Sequence, residues 1–118
     1  MIRLTTDHSW VQELINQNLI TEEEAFRHPQ RNFLSKALGI QAREVPDIVT
    51  AEWAPGDRLV LCSDGLCGYV KDSDIVQCLY HEKTADECAW ALGELALTAG
   101  GLDNVSVCVI DHTEGGAA

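Results

Sequence analysis

The sequence is short of positive charge. Eight Lys and Arg stand against 19 Asp and Glu, a formal net charge of −11. Tight binding to a nucleic-acid backbone needs clustered cations that displace counterions, so nucleic acid is excluded as the main partner. Long apolar runs are missing as well. Nothing approaches the ~18 consecutive apolar residues of a membrane span, so no membrane partner is expected. The opening Met1-Ile2-Arg3-Leu4-Thr5-Thr6-Asp7 lacks the apolar stretch of a secretory signal. There is no C-x-x-C pair among the cysteines at 62, 67, 78, 88 and 108, and their number is odd. His8, His28, His81 and His112 are scattered, so zinc-ligand spacing is absent too. These absences lead us to expect reduced thiols and a cytoplasmic location. No repeat or low-complexity linker divides the chain. At 118 residues and 46% hydrophobic content it reads as a single folded domain, 1–118.

What is present is organised punctuation. Asp7 is placed to cap a helix over 8–17, with Trp10, Val11, Leu14 and Ile15 on one face. Asn18 suits the left-handed position that follows it. Thr21 and Glu24 have capping-box spacing for a short helix over 22–27, and Pro29 ends it. Residues 33–38 are ambiguous between a turn of helix and a strand, closed by Gly39. A strand over 48–53, a turn at Pro55-Gly56-Asp57 and a strand over 58–63 read as a hairpin. Asp72 or Ser73 caps a helix over 73–81. Thr84 and Glu87 open another over 85–98, with Cys88, Ala89, Leu92, Leu95 and Ala96 inward. Gly100-Gly101 stops it, a last strand covers 105–111, and 113–118 is a frayed tail. Trp53 and Trp90 are expected in the core and Trp10 half exposed. His8 and His28 are expected to cap or pack near helix ends.

Side chains alternate faces along a strand. In the last strand Val105, Val107 and Val109 oppose Ser106, Cys108 and Ile110. In the strand at 58–63, Leu59 and Leu61 oppose Val60 and Cys62. Both faces are largely apolar, so such a sheet needs cover on both sides. The helices of this chain suffice for one. Asp64 ends the first of these apolar runs and Asp103-Asn104 begins the second. If the runs pair antiparallel, both carboxylates reach one rim. Two acids converging there repel unless a cation lies between them, which points to a hard divalent metal on oxygen ligands.

The segments GDRLVLCSDGLCGYV and GGLDNVSVCVI resemble the C-terminal half of the metal-dependent type 2C serine/threonine protein phosphatases. LTTDHSWVQELINQNLITEEEAFRHPQRNFLSKALG resembles the middle of the bacterial members. The resemblance runs from about residue 3 to 111. It implies an α+β fold, part of an α-β-β-α sandwich with an antiparallel sheet and flanking helices, whose second sheet is largely missing from this chain. It implies Asp64 and Asp103 as metal ligands, with Gly65 permitting the turn after the ligand and Asn104 holding the loop behind them. It implies hydrolysis of phosphoserine and phosphothreonine in proteins by metal-activated water, with Mn2+ or Mg2+ as cofactor. The family's N-terminal half carries a Glu-Asp pair, a bridging aspartate in an Asp-Gly motif and a general-acid histidine. None of the three has a counterpart in these residues, and no histidine here aligns with that acid. The expectation is therefore a chain inactive alone, either a truncated gene product or a split protein completed by a complementary N-terminal chain, with a phosphoprotein substrate only when complete.

Two other readings stand beside this one. A non-catalytic interaction module would use the uncovered sheet face to bind a partner or pair as a homodimer. A general metal-binding protein or nuclease would need a third acid at the rim, and Asp57, Asp72 and Asp74 read as turn or cap residues.

Overall fold

The computed structural model describes residues 1–115, in two compact units that divide between Ala51 and Glu52. In the first unit α1 (Trp10–Asn16) and α2 (Glu22–Phe26) pack on Val11 and Ala25. The cap of α1 is Ser9, not Asp7: its hydroxyl accepts the Gln12 amide at 3.3 Å. Ser9 is also pinned by a bridge to Leu34, reinforced by Trp10 N–H donating to the Phe33 carbonyl. The tertiary bridge fixes an extended backbone at Ser9, which is the conformation a cap needs, and so moves the start past Asp7. Asn18 takes φ 57°, and Thr21 and Glu24 form the capping box. His28 lies edge-on to Trp10, and His8 bonds Asp47 at 2.6 Å, holding that carboxyl below its usual range. Trp10 is 39% exposed, as its position on the rim of the helix face implies.

The second unit runs β1 (Arg58–Cys62), α3 (Asp64–Cys67), α4 (Asp72–His81), α5 (Ala85–Thr98) and β2 (Val107–Asp111). The two strands pair antiparallel, Arg58 opposite Asp111 and Cys62 opposite Val107. Their inner face lies on a core of Leu66, Val70, Ile75, Cys88, Leu92 and Ala96, joined by Val60, Val107 and Val109. The outer face carries Leu61 at 52% and Ile110 at 43% exposure, with Cys108 exposed between them. One side of the sheet is thus covered and the other is not, in keeping with helices that suffice for one face only.

Several local expectations are corrected. Residues 48–53 form no strand, and the hairpin with β1 does not form; Ile48 is 91% exposed. A strand exists only through its ladder, and β1 makes its ladder with β2. The turn itself is present: Asp57 N–H donates to the Ala54 carbonyl and Gly56 has φ 93°. It docks on the end of β2 instead, where Gly56 N–H donates to the His112 carbonyl and His112 N–H to that of Asp57. Lys71 occupies the cap position of α4, with no side-chain cap bond, so Asp72 falls inside the first turn. β2 begins at Val107 rather than 105 because the Ser106 amide turns to the Ser63 hydroxyl. Trp90 is 72% exposed, not core: Cys88, Leu92 and Ala96 set the inner stripe of α5, and a residue two past Cys88 points away. Trp53, at 42% exposure, stacks on His112 with centroids 5.2 Å apart. The tail expected over 113–118 lies outside the described residues from 116 on.

Candidate functional site

The rim where β1 ends and β2 begins brings the two acidic motifs together. Past Cys62 the chain leaves the ladder at Ser63, whose N–H still donates to the Ser106 carbonyl at 3.0 Å. The Ser63 hydroxyl accepts the Ser106 amide at 3.0 Å and donates to the Asn104 carbonyl at 3.4 Å. One short side chain thus staples the Ser63-Asp64-Gly65 turn to the Asp103-Asn104 loop. Helix α3 then starts at Asp64.

Gly65 is buried in this contact. A Cβ on it would fall 2.0 Å from the Asn104 carbonyl oxygen and 2.8 Å from the carbonyl carbon. The expected reason for a glycine here, a sharp turn, is corrected: residue 65 is helical and has no positive φ. Glycine is required because two backbones meet where a side chain would stand. Asn104 takes part through its main chain, its carbonyl against Gly65 and Ser63. Its amide donates to the Asp103 carboxylate at 2.7 Å, which orients that side chain. Asp64 and Asp103 are both exposed.

These two carboxylates are hard oxygen donors on adjoining loops, the chemistry a divalent cation selects. A Ca2+- or Mg2+-type ion asks for about six oxygens, some from water. Among the described residues no group of three or more His, Cys, Asp or Glu is placed to hold a metal.

At the opposite end of the ladder is a clamp that sequence reasoning missed. Arg58 Nε donates to Asp111 Oδ1 at 2.5 Å and Nη2 to Oδ2 at 2.9 Å. Nη1 reaches the Leu79 and Glu82 carbonyls at 2.9 and 3.1 Å, closing the C-terminus of α4. The hydrogen bond from Arg58 holds the Asp111 carboxyl below the usual range, and the same pairing raises Arg58. The available signal was opposite charge at the outer ends of two strands expected to pair. The clamp fixes the register that carries Ser63 to Ser106 at the far rim.

No protein-family model matches the chain. The serine/threonine protein phosphatase PstP of Mycobacterium tuberculosis is 43% identical over 111 residues, covering 94% of this chain and 21% of that protein. Among solved structures, the serine/threonine phosphatase Stp1 from Staphylococcus aureus aligns with a TM-score of 0.82 at 39% identity. That alignment covers 97% of this chain and 44% of Stp1. The catalytic domain of PstP in complex with two manganese ions aligns with a TM-score of 0.78 at 40% identity, over 93% of this chain and 44% of that domain. The chain spans less than half the length of the curated relatives it matches. Nearly the whole chain aligns with these proteins in sequence and in fold, so its homologues are serine/threonine protein phosphatases of the 2C type, and its span is consistent with a C-terminal fragment of such a phosphatase.

Proposed function

We propose that this chain is the C-terminal share of a metal-dependent phosphatase that hydrolyses phosphoserine and phosphothreonine in proteins. Asp64 and Asp103 are its metal ligands in this reading, and Gly65 and Asn104 position them. The observation that carries it is the contact of the Ser63-Asp64-Gly65 turn with the Asp103-Asn104 loop, so close that no Cβ fits at residue 65. The manganese-bound PstP catalytic domain supports the choice of Mn2+, with Mg2+ as the other hard cation of the same kind. The remaining carboxylates come from outside these residues, on the same chain or on a complementary one. The 118 residues alone turn over no p-nitrophenyl phosphate with manganese; manganese-dependent turnover that disappears in Asp64→Asn would refute that statement. Ligand assignment is tested separately by paramagnetic broadening. Roughly millimolar Mn2+ should broaden the amides around 64 and 103, in the weak range expected of a partial oxygen site. The double variant Asp64→Asn/Asp103→Asn should remove the effect. Broadening centred elsewhere overturns the assignment.

The uncovered outer face of the sheet, with Leu61 and Ile110 exposed, favours a second reading. In it the chain is a non-catalytic module that pairs through this face, most simply about a two-fold axis. A monomer by light scattering across the micromolar range would rule it out.

A further inference from the structure

A serine at the start of a helix ordinarily turns its hydroxyl onto the amides of the first turn. Ser63 stands at that position before α3 and makes no such bond. Its hydroxyl goes across the rim instead, to Ser106 and Asn104. The register shows what this replaces. Cys62 opposite Val107 is the last pair of the ladder, so Ser63 and Ser106 come next in line. Residues facing each other in a hydrogen-bonded antiparallel pair exchange two backbone bonds. Ser63 supplies one, its N–H to the Ser106 carbonyl at 3.0 Å. The return bond from the Ser106 amide ends on the Ser63 hydroxyl at 3.0 Å, not on the Ser63 carbonyl. That carbonyl accepts the Leu66 amide at 3.1 Å and the Cys67 thiol at 3.6 Å, which open α3. The side chain thus stands in for its own main chain. Strand pairing and helix start are both satisfied at one residue, and Asp64 is carried out of the strand direction.

We propose that Ser63 is the positioning residue of the candidate metal site: its hydroxyl sets the separation of the Asp64 and Asp103 carboxylates without touching the ion. The proposal rests on the reading of Asp64 and Asp103 as metal ligands. On one side Ser63 is joined through the chain to Asp64. On the other its O–H donates to the Asn104 carbonyl at 3.4 Å, and the Asn104 N–H donates to the Asp103 carboxylate at 2.7 Å. Both carboxylates are exposed and lie beyond the last ladder pair, so the ladder itself does not fix them. Ligands held at a set separation lose less freedom when an ion joins them. Removing a group that orients metal ligands lowers metal affinity by about 10–100-fold.

The experiment follows the broadening of amide resonances by Mn2+ in the unaltered chain and in Ser63→Ala, Ser63→Thr and Ser63→Val. Ser63→Ala deletes the hydroxyl. Ser63→Thr and Ser63→Val share one branched shape, suited to the extended backbone at φ −80° and ψ 168°, and differ in whether the hydroxyl is there. In the unaltered chain and in Ser63→Thr, the amides around 64 and 103 should broaden together at the same Mn2+ concentration. In Ser63→Ala and Ser63→Val the concentration for half-maximal broadening should rise about tenfold or more. The shift is read on resonances of the folded chain only, so a loss of stability alone does not move it. Without metal, hydrogen exchange of the Ser106 amide should quicken in the same two variants. Equal Mn2+ midpoints in all four chains overturn this proposal and leave the ligand assignment standing. A loss in Ser63→Thr as large as that in Ser63→Val overturns it too, because packing and not the hydroxyl would then be responsible. No broadening around 64 and 103 in the unaltered chain overturns both the proposal and the metal-ligand reading beneath it.

Discussion

Replacing Gly65 with alanine sets two physical rules against each other. Residue 65 is helical, and alanine is favoured over glycine in a helix by about 1 kcal/mol. On propensity alone the substitution stabilises. The new Cβ, however, would stand 2.0 Å from a main-chain carbonyl oxygen. Real Cβ contacts essentially never fall under 3.0 Å, so one backbone must retreat by about 1 Å. The carbonyl that must move is Asn104's, which accepts from the Ser63 hydroxyl. Overpacking of this kind costs about 1–3 kcal/mol, and a lost hydrogen bond about 1 more. Set against the propensity gain, Gly65→Ala should destabilise by about 2 kcal/mol. The measurement is urea unfolding followed by far-ultraviolet circular dichroism. Gly93→Ala is the control: it is helical in α5, and nothing lies within 4 Å of its added Cβ. That substitution should stabilise by up to about 1 kcal/mol. If Gly65→Ala proves as stable as the parent chain, the close approach of the two motif loops is wrong.

The Arg58 clamp gives a second expectation. Arg58→Ala leaves the Asp111 carboxylate and the Leu79 and Glu82 carbonyls without their donor, and should cost about 3 kcal/mol in urea unfolding. Because Arg58 lowers Asp111 in the folded state, this stabilisation is complete above the ordinary carboxylate range and fades as pH falls through the depressed value. Arg58→Ala should flatten that acid limb, and an unchanged acid limb would contradict the pairing. Cys78 behaves in the opposite sense. Its folded value of about 11 lies above the ordinary 9.0, so its contribution is full below pH 9.0 and lost as pH climbs towards 11. Cys78→Ser should remove that alkaline loss, read as urea midpoints across the range. Thr84→Ala deletes the hydroxyl that accepts the Glu87 amide at 3.1 Å and should cost about 1 kcal/mol.

Local chemistry was readable in this sequence wherever one side chain acts on its own neighbourhood. Thr84 and Glu87 placed the start of α5 correctly, and Gly100 and Gly101, at φ 122° and 56°, placed its end. The alternation of Val107 and Val109 against Cys108 and Ile110 forecast two apolar faces, of which this chain's helices cover one. What failed was set by partners distant in sequence. Residues 48–53 have a strand's composition, but composition does not say whether a neighbour exists to complete the ladder. Ser9 displaced Asp7 as a cap because Leu34 fixed its backbone. At the candidate site, the residue types offered Asp64 and Asp103 as candidates, while the Ser63 staple and the close packing at Gly65 needed three dimensions. Both depend on residues about 40 positions away meeting at one rim.

The ladder between β1 and β2 also dictates the order in which the second unit assembles. Its strands are 44 residues apart along the chain, and α3, α4 and α5 all lie between them. Closing a loop of that length is entropically unfavourable until the helices have shortened the path and offered a surface to land on. Residue 58 therefore waits for residue 111. On a ribosome, the Arg58 guanidinium would have no carboxylate to grip until Asp111, far downstream of it, had emerged. Any premature stop before Asp111 would leave the helices without their sheet.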